Sequence, residues 1–114
     1  MFRSNLSNLV ADAFRHGEAS ASDRKWQAFH FVGAGFPVRV SRHYNVNPEK
    51  KALFPWGAVG VWHYSTHMFN VTRDGQVIPV NPGWGSMTDR AGVRRITDGW
   101  GCSVGYRELY GEAS

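Results

Sequence analysis

Residues 58–72 decide what class of fold this chain adopts. The run AVGVWHYSTHMFNVT is dense in valine, aromatic and threonine side chains, which suit a pleated, half-buried surface. Arg73-Asp74-Gly75 follows, then a second β-prone run from Gln76 to Val80. An Asp-Gly step between two such runs is a strong hairpin signal. Residues 73–75 are therefore predicted to form an exposed hairpin tip, with Asp74 and Gly75 taking positive φ. Pro79 cannot donate to a strand ladder, so it places the second strand at a sheet edge or ends it early.

The first segment follows a different period. Leu6, Leu9, Val10, Ala13 and Phe14 recur at helical spacing and leave Asn8, Asp12, Arg15 and His16 on the other face. Ser4 or Asn5 caps the start of this helix, and Gly17 stops it. Residues 17–25 are small and polar and read as a linker. Trp26–Val32 and Phe36–Tyr44 are strand-like, broken by Gly33-Ala34-Gly35, and polar turns follow at 45–51 and 55–57. After the hairpin, Thr88 reads as the cap of a short helix over 89–97, which Gly92 weakens by roughly 1 kcal/mol relative to Ala. Cys102–Tyr110 reads as a last strand. The predicted architecture is a single α+β domain over 1–114: a helix and loop at 1–24, then a sheet-rich core at 25–114. The N-terminal amphipathic helix packs on a small antiparallel sheet, and a short second helix follows the central hairpin. Leu6, Leu9, Val10, Phe14, Val38, Val59, Val61, Phe69 and Ile78 are expected in the core.

Composition limits the function classes. The 114 residues suit one domain, and 42% hydrophobic content supports a core. With one cysteine, Cys102, neither an internal disulfide nor a cysteine zinc cluster can form. No 20-residue apolar run spans a membrane. The start lacks an apolar secretory h-region, so the glycosylation-like Asn5-Leu6-Ser7 and Asn70-Val71-Thr72 are read as chance and the chain as cytoplasmic. The net charge is +4; residues 1–57 carry eight basic and four acidic side chains, residues 58–114 five of each. That balance favours an anionic partner, though it also serves solubility.

Four candidate features stand out. His63 and His67 are four apart, but on a continuous strand they would lie about 13 Å from one another, too far for one metal. No metal or other cofactor is expected. His43, His63 and His67 could instead converge as metal-free acid–base groups. Cys102 lacks a nucleophile signature, and buried cysteine behaves as a small hydrophobe. Gly83-Trp84-Gly85 precedes a helix start but lacks the third glycine and the Gly-Lys-Ser/Thr of phosphate loops, so it reads as turn plus cap. Finally, Arg39, Arg42, Lys50, Lys51, Arg90, Arg94 and Arg95, interleaved with Trp56 and Trp84, compose a basic surface with aromatic platforms; Trp26 and Tyr44 extend it. For each of these arginines and lysines an ordinary solvated charge is the competing reading.

Tyr64-Ser65-Thr66, Asp74-Gly75, Val77, Val80-Asn81, and Trp84, Ser86 and Thr88 opening a helix together resemble small uncharacterised proteins of phages and plasmids. The likeness covers about residues 58–96. It departs at Asp89 and Gly92, where a more basic, histidine-containing helix would be expected. The resemblance implies a mobile-element protein in a host cell, a context in which DNA binding and inhibition of a host defence complex are common roles; it brings no activity. The expected function is a non-enzymatic module engaging nucleic acid or a host protein–nucleic-acid complex, with self-association left open. The competing expectation is a small histidine-dependent, metal-free nuclease or hydrolase.

Overall fold

A computed structural model describes residues 3–22, 24–34, 53–81 and 83–111. A short strand β1 (Arg3–Ser4) leads through a 3-10 turn (Leu6–Asn8) into helix α1 (Leu9–His16). Strands β2 (Glu18–Ala21), β3 (Trp26–Ala34), β4 (Leu53–His63), β5 (Thr66–Thr72) and β6 (Val77–Pro79) follow, then helices α2 (Met87–Gly99) and α3 (Gly105–Tyr110). The six described strands lie in chain order; among them only β1 and β2 run parallel, and the other pairings are antiparallel. The chain is thus α+β, an N-terminal helix on a mostly antiparallel sheet.

Local chemistry explains most boundaries. Asn5 accepts the Asn8 N–H through its side chain at 3.1 Å, and Gly17 closes α1 at φ 87° with its N–H on Ala13 O. Leu9, Val10 and Ala13 turn inward and meet Val59, Val61, Phe69 and Val71 of the sheet, with Val93 and Ile96 of α2. Leu6, Phe14 and Ile78 are only partly buried, and Val38 lies outside the described residues. The β5–β6 hairpin turns at Arg73-Asp74-Gly75. Only Gly75 takes positive φ (89°); Asp74 instead accepts a hydrogen bond from the Thr72 hydroxyl.

Five local expectations are corrected. Residues 55–57 belong to strand β4 rather than to a turn. Residues 18–21 form a strand rather than a loop, because Ala19 and Ala21 are small enough to sit beneath α1 and are buried. Residues 58–72 are two strands, not one: Tyr64 at φ 56° and Ser65 make a turn, setting His63 opposite Thr66. The second helix is capped by Ser86, not Thr88: Ser86 Oγ accepts the Asp89 N–H and Asp89 reaches back to the Ser86 N–H, a reciprocal capping box. Residues 105–110 are helical rather than extended, placing Tyr106 and Tyr110 one turn apart with rings 5.1 Å from each other.

Cross-strand register defines two faces. Trp26, Ala28, His30, Val59, Val61 and His63 point toward the helices. The other face carries, as one row across five strands, Arg3, Ser20, Gln27, Trp62 and His67. Trp62 packs edge-on to Phe29 there and spreads over Gly60, where a side chain would collide with its indole.

Candidate functional site

The two histidines that the sequence singles out do not come together. Because His63 pairs with Thr66, His67 falls one step further along β5 and onto the opposite face. Each stacks on a tryptophan: His63 on Trp26 and His67 on Trp62, with centroids 4.0 Å apart in both cases. Strand-face geometry therefore replaces strand length as the reason why these two imidazoles cannot share a metal. No cluster of three His, Cys, Asp or Glu suited to a metal occurs among the described residues. His43 lies outside the described residues.

His63 is tied to the second helix. Its Nδ1–H donates to Asp89 Oδ1 at 2.6 Å, and both side chains are 6% exposed. The other carboxylate oxygen accepts the backbone N–H groups of Trp84 at 3.1 Å and Ser86 at 3.2 Å. Burial alone would raise the Asp89 carboxyl, but hydrogen bonds from His63 and Ser86 outweigh it and hold its pKa below the ordinary value. The amide donors at the start of α2 are thus directed at the chain's own carboxylate, which fills the place an external anion would take. Gly83 and Gly85, at φ 67° and 65°, let the loop fold around that carboxylate. A side chain at Gly83 would press on Asp89 Oδ2 at 3.1 Å and Met68 Sδ at 3.2 Å.

This latch presents side chains outward. Trp84 is 96% exposed, Met87 89% and Tyr64 62%. The Tyr64 ring leans on His63 with centroids 4.7 Å apart, so both exposed aromatics are positioned by the His63–Asp89 pair. Further along α2, Arg94 stacks over Tyr106 at 4.6 Å. Arg90 lies 5.5 Å from the Tyr110 ring centroid and donates through Nε to Gly85 O at 3.0 Å. Beside them runs an open groove of about 420 Å³, floored by Leu6, Trp26, Ala91 and Gly92 and edged by Arg94, Arg95, Asp98 and Thr88.

The predicted basic surface is thus placed in part. Arg90, Arg94, Arg95 and Trp84 belong to α2 and the loop before it. Trp56 contributes backbone to β4. Arg39, Arg42, Lys50 and Lys51 lie outside the described residues. Sequence reasoning missed Asp89 as the organiser of the loop. The Ser86-x-x-Asp89 pattern carried that signal, since a carboxylate three residues after a capping serine folds back on the helix start.

Among the described residues, neither His63 nor Cys102 is paired as base and nucleophile. With Nδ1–H given to Asp89, His63 is left with the lone pair on Nε2, the orientation of a general base. That atom is buried and has no hydrogen-bonding partner, so no described hydroxyl or thiol stands ready to lose a proton to it. Cys102 is buried, its Sγ–H donates to Thr97 O at 3.2 Å, and burial pushes its pKa up to about 11. His67 donates Nε2–H to Asn70 Oδ1 at 2.6 Å; burial lowers its pKa to about 4 against the smaller opposing effect of that bond. Both are interior groups. No helix among the described residues is long and apolar enough to cross a membrane. No family model, no curated protein and no solved structure matches this chain.

Proposed function

We propose that this protein is a non-enzymatic binding module that engages single-stranded nucleic acid. Trp84 and Tyr64 would serve as stacking platforms, and Arg90, Arg94 and Arg95 as phosphate contacts. The observation that carries the proposal is Trp84: an indole 96% exposed on a loop whose backbone is fixed by a buried carboxylate. A large apolar ring held in solvent by a built support is a contact residue. Bases stack on such rings whatever their sequence, at about 1–3 kcal/mol each. Arginines on the adjoining helix supply the cationic part, and the ring contacts of Arg90 and Arg94 restrain their side chains, which lowers the entropic cost of a phosphate contact. A phage or plasmid setting, and action on a host defence complex, would be consistent with such a module and rest on the resemblance alone.

The test is anisotropy of a labelled single strand titrated with the full chain at several salt concentrations. Affinity should fall steeply with salt as counterions are released. Trp84→Ala should weaken binding by roughly 5- to 150-fold, the equivalent of one stacked base. Replacing Arg90 and Arg94 together should flatten the logarithmic salt slope by up to about 1.4, two single-strand phosphates. The absence of any salt-dependent binding would reject the proposal. Cleavage of the strand that vanishes with His63→Ala would turn it toward the nuclease reading. Binding that requires an added host nucleoprotein would move it to a protein-directed inhibitor.

A further inference from the structure

We propose a second site on the sheet face away from the helices: an oxyanion pocket formed by Arg3, Arg24, Gln27 and Ser20 that takes a phosphate-class ligand. The site does not rest on the stacking surface proposed above. Three of its residues are neighbours in one cross-strand row, Arg3 on β1, Ser20 on β2 and Gln27 on β3. Arg24 enters from the turn joining β2 and β3. These four line a concavity of about 330 Å³.

The chemistry of the lining is one-sided. Two guanidinium groups, a primary amide and a hydroxyl are all able to donate, and no carboxylate is among the described lining residues. Glu18, two residues along β2 on the same face, does not line it. Among the described residues neither the Arg3 nor the Arg24 guanidinium has an ion-pair or hydrogen-bond partner. Ser20 is 2% exposed, and its hydroxyl reaches Ala21 O only at 3.5 Å, a bond weak enough to be given up. Two cations bordering one concavity repel one another until an anion enters; planar, forked guanidinium groups suit tetrahedral oxyanions in particular.

The backbone adds an independent sign. Arg24 sits at φ 63°, with its N–H on Ala21 O at 2.9 Å. Glycine or asparagine would adopt this left-handed conformation more easily. A long cationic side chain kept in a strained turn, with its head group at a pocket, is the pattern of a ligand contact.

Arg24→Gly gives the decisive variant, because it removes the cation and relieves the strain together. The full chain is titrated with inorganic phosphate and, at matched ionic strength, with sodium chloride, following the Arg24 and Gln27 side-chain resonances. Phosphate is expected to give a saturable shift that chloride does not. Arg24→Gly should weaken phosphate binding by about tenfold or more, one charge-assisted bond, with its melting temperature unchanged or raised. Arg3→Gln should act in the same direction, and Trp84→Ala should leave the phosphate response intact. If a short single strand moves the same resonances and competes with phosphate, the ligand is a backbone phosphodiester. If phosphate binds and the strand leaves them unmoved, it is a free phosphoryl group. Equal responses to phosphate and chloride, or full-strength phosphate binding by Arg24→Gly, would overturn the site.

Discussion

Replacing Asp89 with alanine should be among the most damaging single changes in this protein. The carboxylate is buried and accepts three N–H groups, from His63, Trp84 and Ser86. The His63 bond is the costly one to lose. A charge-assisted bond contributes about 1.5–3 kcal/mol, and its removal leaves Nδ1–H buried beneath Trp26 beside an Nε2 that already lacks a partner. Loss of the back half of the capping box adds about 1 kcal/mol. The Trp84 amide is only part-buried and regains water, so it adds little. The sum is about 2.5–4 kcal/mol, which at about 4–8 °C per kcal/mol lowers the melting temperature by roughly 10–32 °C. Urea unfolding of wild type, Asp89→Ala, His63→Ala and the double variant measures it, with an expected coupling of about 1–3 kcal/mol between the two sites. Because the Asp89 pKa is depressed in the folded state, its stabilisation is complete above about pH 4, the unfolded value, and is lost as pH falls through the folded one. A loss below about 1 kcal/mol, or strict additivity of the single variants, would refute the latch.

Gly92→Ala should destabilise the protein by more than about 2 kcal/mol by thermal melting, although alanine favours a helix by about 1 kcal/mol, because the new methyl group meets the Trp26 indole. Between about pH 6.5 and 4 the folded chain should lose up to about 3 kcal/mol as unfolded His67 takes up a proton that the buried ring resists; His67→Gln should flatten this slope in urea titrations. A residual slope belongs to His30, whose pKa burial and the nearby Arg73 also lower. Cys102 should resist iodoacetamide at pH 7 in the native protein and react once urea unfolds it, as mass spectrometry would show.

What the sequence made legible was local. Asn5 and Gly17 as helix caps, the hairpin at Asp74-Gly75 and the apolar stripe of α1 each depend on residues within a few positions of one another. The turn at Tyr64-Ser65 was hidden because it uses neither glycine nor proline and asks a tyrosine to adopt positive φ. Residues 105–110 mislead for a related reason: tyrosine and valine favour strands in isolation, yet a one-turn spacing lets Tyr106 join the core while Arg94 covers its ring. The Gly92 penalty made α2 look weak, whereas the close approach of Trp26 requires a residue without a side chain there. The His63–Asp89 bond spans 26 positions, and no periodicity announces it. The Trp84 backbone is held by the same carboxylate, so the support of this exposed indole was equally invisible to composition.

The ends of the sheet set a limit on how this protein meets others. One outer strand, β1, is two residues long; the other, β6, has three and finishes at Pro79, which has no N–H to offer. Neither border of the described sheet presents the run of free amides and carbonyls that an incoming strand needs. Among the described residues, these two outermost strands are therefore poor templates for edge-to-edge pairing with a second copy or an extended peptide. Short, proline-ended outer strands also work against stacking of copies into fibres.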